Sequence, residues 1–173
     1  MKFPLHALLL AVLFSTSTQA QTAAEAVAQV KKLSEQGNHR EAADLGKAAL
    51  AKADATGELL EVTDDALSQL GAAQEQEEVI EAAVKAHSKK SDLLLAAGSA
   101  YLSLPHTGTL TDGKFVRGQT HDWNNRKTTE LKDRVRALQL LEAAWKNLPT
   151  EADKSVRRAV LESMNEALCH DGE

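Results

Sequence analysis

Four side chains able to ligate a metal, His106, Asp112, His121 and Asp122, fall in one short stretch of this 173-residue chain. Their spacing matches no compact ligand set such as His-Glu-x-x-His, in which two imidazoles one helical turn apart share a face. Asp112 also has a structural reason to be there, because Asp112-Gly113 favours a primed two-residue hairpin turn. No metal and no cofactor is therefore assigned. The same stretch is basic: Lys114 to Arg136 holds seven Lys or Arg against three Asp or Glu, in a chain of formal net charge -5. A positive patch attracts an acidic peptide, glycan or lipid head group, unless its charges are solvated or paired with Glu130, Asp133 and Glu142. Trp123, flanked by Asp122 and Asn124, reads either as a lid over the helices beneath it or as an exposed anchor for a partner. The expected partner contacts are Trp123, Arg117, Arg126 and Lys127. Trp145 is expected in the core and Phe115 beneath the hairpin. Of Arg134 and Arg136, one is expected to pin the hairpin and the other to stay free.

Nothing points to catalysis. Cys169, the only cysteine, has no His/Asp arrangement to activate it. The chain lacks a Gly-x-Ser-x-Gly elbow, a phosphate loop and a dinucleotide fingerprint.

Bulk properties set the compartment and the class. Lys2, an apolar run from Leu5 to Phe14 broken by His6, and a polar segment ending in Ala20 have the layout of a secretory signal peptide cleaved after Ala20. The run is roughly half the length of a membrane-spanning helix, so no membrane span is expected and the mature chain is exported, to the periplasm or beyond. Loss of Lys2 takes the charge from -5 to -6, which argues against nucleic-acid binding. A single cysteine allows no internal disulfide, so stability rests on the core. Aromatics make up 3% of the chain and alanine is abundant, which suits closely packed helices rather than a sheet.

Apolar periodicity predicts about seven helices. The first runs from Thr22 to about Gln36, opened by a Thr22/Glu25 capping box and ended by Gly37-Asn38. The second covers about His39–Ala53, the third Glu58–Leu70 and the fourth about Glu75–His87. The fourth has acids in its first turn and Lys85, Lys89 and Lys90 near its end, matching the helix dipole. The fifth runs from a Ser91-Asp92 cap to Leu104 and stops at Pro105. Thr109 to Arg117 then reads as a hairpin around Asp112-Gly113, and Gly118 to Thr128 as irregular loop. A sixth helix covers Thr129 to about Asn147, with Val135, Leu138, Leu141 and Trp145 on its inward stripe. A seventh covers about Glu151–Leu168, with Val156, Val160, Met164 and Leu168 inward.

Leu94-x2-Ala97-Gly98-x2-Tyr101 resembles the first helix of a tetratricopeptide (TPR) repeat, and Ala137-x3-Leu141-x2-Ala144 followed by Pro149 resembles the second. Gly37 with Ala42, Gly46 and Ala49 is similar to the turn and second helix of another. The resemblance implies an all-α, TPR-like solenoid of about seven antiparallel helices. A small β-hairpin and loop, about residues 105–128, is inserted between helices five and six. Residues 21–173 then form one helical domain after the leader 1–20. Tyr101 to Pro105, Thr111-Asp-Gly-Lys-Phe-Val-Arg-Gly118 and Asp133-Arg-Val-Arg-Ala-Leu-Gln-Leu140 also resemble the N-terminal helical region of large bacterial alpha-2-macroglobulin-like proteins, exported protease traps. The chain departs from those in lacking β-sandwich domains and a Cys-x-Glu-Gln thioester: Cys169 is followed by His170-Asp171-Gly172. The expected function is a non-catalytic, exported protein-binding or assembly module. The alternative is the helical part of such a protein, alone or truncated, without trap activity.

Overall fold

A computed structural model of the protein describes residues 22–118 and 125–169. The expected leader, and His121, Asp122 and Trp123 of the insertion, lie outside the described residues. Those residues form seven helices: α1 (Ala23–Glu35), α2 (His39–Leu50), α3 (Gly57–Gln69), α4 (Ala73–Ala86), α5 (Ser91–Ser103), α6 (Glu130–Lys146) and α7 (Lys154–Cys169). Between α5 and α6 lie β1 (Thr107–Thr111), β2 (Lys114–Arg117) and β3 (Arg126–Thr128). The molecule is thus mostly helical with one small antiparallel sheet.

Helix ends follow local chemistry. The Thr22 hydroxyl accepts from Glu25 N while the Glu25 carboxylate accepts from Thr22 N, the expected capping box. Thr56 caps α3 by accepting from Leu59 N. Asp92 does not cap its own helix, contrary to expectation: α5 starts after Lys90 without a side-chain cap. Its carboxylate instead accepts from Gly57 N, at the start of α3, at 2.9 Å. Asp54 does the same for Ala23 N of α1 at 2.8 Å. Each carboxylate satisfies an N–H that its helix cannot pair internally, at the positive end of the helix dipole.

The α5–α6 pairing survives the interruption between the helices. A β-carbon on Gly98 would come within 2.7 Å of Leu141 Cγ and 3.3 Å of the Ala137 carbonyl. The pair is antiparallel. Asn147, just past α6, reaches the carbonyl of Ser88, just before α5. At the opposite ends, Tyr101 and Arg136 converge on Glu81. Helices α1, α3 and α5 also touch in series, with α2 against both α1 and α3. The core they enclose is aliphatic and rich in alanine, centred on Leu59, Leu60, Leu67, Ile80, Leu93 and Leu94.

Three expectations are corrected. Part of the segment read as irregular is the strand β3, which pairs antiparallel with β1 through Gly108↔Lys127, so the order is β2-β1-β3. Trp145 is 38% exposed and Val135 54%, because the inward stripe of α6 is Asp133, Ala137, Leu140, Leu141 and Ala144, and Trp145 sits about 100° round from Ala144. On α7 Val160 and Ala167 are buried, whereas Val156 and Leu168 are exposed. Among the described residues no helix is long and apolar enough to cross a membrane.

Candidate functional site

The insertion is held to the helices by one buried ionic cluster. Asp133 lies on the inward stripe of α6, and its side chain and that of Arg117 on β2 are both 0% exposed. They pair in a fork: Nη1 donates to Oδ2 at 2.7 Å and Nη2 to Oδ1 at 2.9 Å. Arg117 Nε donates to Glu77 of α4 at 3.0 Å, and Nη1 also reaches the Pro105 carbonyl and the Thr129 hydroxyl. Thr129 donates its hydroxyl to Asp133 at 2.6 Å, and His106 Nδ1 lies 3.0 Å from the same oxygen. The Arg117 guanidinium also stands 5.7 Å from the centre of the Phe115 ring.

Burial alone would push the Asp133 carboxyl up. The hydrogen bonds from Arg117, Thr129 and His106 outweigh it and hold Asp133 below the ordinary carboxylate range. Burial likewise pulls Arg117 down, but Asp133 and Glu77 more than offset this and its pKa is raised. Both groups are therefore charged at every physiological pH. The cluster ties together β2, α4, the start of α6 and the linker after α5.

A second junction lies nearby. Arg136 grips Glu81 of α4 with two bonds of 2.7 Å, and the Tyr101 hydroxyl donates to the same carboxylate at 2.7 Å. Arg134 instead donates to the Ala167 and Leu168 carbonyls of α7. Neither arginine pins the hairpin; Arg117 does. The signal was present in the sequence. An acidic residue at 133, in register with Ala137, Leu140, Leu141 and Ala144 on an apolar stripe, requires a buried cation.

Of the expected partner contacts, Arg117 is enclosed in this cluster, while Arg126 and Lys127 are exposed on β3. Trp123 lies outside the described residues. Of the candidate metal ligands, His106 faces Asp133 and Asp112 occupies the hairpin turn at φ 50° beside Gly113 at φ 77°. Among the described residues no three His, Cys, Asp or Glu side chains are grouped to hold an ion. The Cys169 thiol is exposed and donates to Asn165 Oδ1.

Besides the groove of about 640 Å³ lined by Pro105, Thr107, Arg117 and Gly118, two grooves lie between helices. One, of about 480 Å³, runs between α2 and α4 over Leu50, Val79, Ala82, Ala83 and Ala86, with Lys47 and Glu75 at its edge. The other, of about 370 Å³, lies between α3 and α5 and is acidic, lined by Glu61, Asp64, Asp65, Ser68, Ser99 and Ser103. Burial there pushes the Asp64 carboxyl up to about 6, although Gln76 donates to it at 2.9 Å. No protein-family model matches this chain, and no curated protein matches it either.

Proposed function

We propose that this protein is an exported, non-catalytic helical-repeat module that binds another protein, with a TPR-like solenoid as scaffold and the inserted sheet as its gripping element. The serial contact of α1, α3 and α5 supports the repeat reading, since stacked helix pairs bury a core that no pair buries alone. The observation that carries the functional reading is the clamp. Glu77, Pro105, Thr129 and His106 converge on Arg117 and Asp133 and hold β2 of a three-stranded sheet whose outer edge, β3, presents Arg126 and Lys127 to solvent. A pre-positioned edge with cationic side chains suits an acidic protein segment, because ordering the surface in advance lowers the entropy cost of binding. In this reading Trp123, Arg126 and Lys127 meet the partner, and Arg117 positions the strands. The test is affinity capture from periplasmic extract with wild type and an Arg126→Glu/Lys127→Glu variant, fold checked by circular dichroism. Loss of the captured protein supports the reading. An unchanged catch overturns it.

A second reading is favoured by Asp64. Burial raises the pKa of Asp64 in a groove whose lining also holds Glu61 and Asp65 and no basic side chain, and a cationic segment laid between α3 and α5 would stabilise its charged form. Titration with labelled oligolysine at pH 7.5 separates the two readings. Binding weakened by Asp64→Asn/Asp65→Asn favours the groove. Absence of binding rules the groove out.

A further inference from the structure

We propose that α6 and α7 form the contact surface of a homodimer, in which α7 of one copy lies antiparallel to α7 of a second about a two-fold axis near Leu161.

Large apolar side chains left in solvent concentrate at this end of the molecule. Leu131 (75% exposed), Val135 and Trp145 lie on α6; Val156, Leu161 (51%) and Leu168 (65%) lie on α7. Arg134 of α6 reaches the carbonyls at the C-terminal end of α7, and Arg157 near the start of α7 stands 5.8 Å from the Trp145 ring. The two helices are therefore antiparallel, which sets the start of α6, with Leu131 and Val135, beside the Leu168 end of α7. Leu161 and Leu168, two turns apart, share one face of α7. Large apolar side chains gathered in solvent at one end of a molecule mark an interaction site.

The charges on α7 identify the occupant. Lys154 and Arg158 stand in its first half, Glu162 and Glu166 in its second, all exposed. Among the described residues none of the four is ion-paired within the chain. The helix has no acid in its first turn and no base in its last, although Asp153 caps the start by accepting from Ser155 N. This order opposes the helix dipole, which favours acids near the N-terminus and bases near the C-terminus. It disfavours the helix alone and suits an antiparallel copy of itself. With the axis at Leu161, the leucine meets its own symmetry mate. Arg158 then falls between Glu162 and Glu166 of the second copy, and Lys154 falls beside Glu166 and Leu168 of the second copy. The dipoles also run opposed. Such a patch is self-complementary, as a two-fold contact demands, whereas a parallel pairing would set like charges side by side.

Cys169 fixes the orientation test. It lies eight residues beyond Leu161, about 12 Å along the helix at ~1.5 Å per residue. The two thiols of the dimer are then about 24 Å apart, well outside the roughly 7 Å Cα separation that a disulfide spans. Sedimentation of the mature chain over a wide concentration range is expected to show a monomer–dimer equilibrium. Lys154→Glu/Arg158→Glu weakens it at least tenfold, and adding Glu162→Lys/Glu166→Lys restores it. Under mild oxidant, Leu161→Cys in a Cys169→Ser background links the two copies, and native Cys169 does not. Circular dichroism confirms that each variant folds, since all these positions are exposed. A monomer at every concentration, indifference to the charge reversal, or linkage through Cys169 in preference to position 161 overturns the proposal.

Discussion

Gly98 of α5 faces Leu141 of α6 with no room for even one added carbon, at 2.7 Å from an ideal β-carbon to Leu141 Cγ. The two helices are separated in the chain by a three-stranded insertion, yet their closest approach is set by this glycine. Gly98→Val is therefore expected to lower stability by about 1–3 kcal/mol through overpacking. Adding Leu141→Ala should recover part of the loss, a coupling that a double-mutant cycle of urea melts reads directly.

Breaking the Arg117–Asp133 pair leaves a charge buried without its partner. Arg117→Ala alone should cost about 3–5 kcal/mol. Replacing both partners by apolar side chains of similar size, Arg117→Met with Asp133→Leu, should cost much less. A double mutant as unstable as the single one would show that the cluster is not a closed unit.

Tyr101→Phe removes one donor from Glu81 but leaves the two Arg136 bonds in place. The expected loss is about 1 kcal/mol, measured as a shift in the denaturation midpoint at unchanged slope.

Asp64 makes stability fall as pH rises. Its folded pKa is about 6 against an ordinary 3.8, so between those values the folded chain binds more protons than the unfolded one. Stability therefore declines through that window and stays lower above it. Asp64→Asn, which keeps an oxygen for Gln76, should raise the melting temperature at pH 7.5 and leave it unchanged near pH 3.5. A gain of equal size at both pH values would show that the carboxyl is not desolvated.

Helix number and order were legible because apolar spacing repeats over many residues, and the turn at Asp112-Gly113 because positive φ leaves few alternatives. The strand β3 was not. It spans only Arg126–Thr128, all three residues are exposed, and its pairing with β1 arises from chain closure rather than from an alternating pattern. Trp145 misled because its spacing from Leu138 and Leu141 puts it on an apolar stripe, whereas the small Ala144 beside it faces the core. The ionic clamp was half legible. The sequence shows Asp133 among positive charges, but its match to Arg117 depends on how the hairpin folds back, which local spacing does not encode.

The Thr129 N–H donates to the His106 carbonyl at 2.7 Å, so the polypeptide leaves the helices and rejoins them at a single point. Residues 107–128 are in effect a detour with a common entrance and exit. Extra length added at the exposed Asp112-Gly113 turn changes only the detour, so this is where diversification or grafting leaves the helices undisturbed. Excising the whole detour would not be neutral, because it removes Arg117 and strands Asp133 among aliphatic side chains.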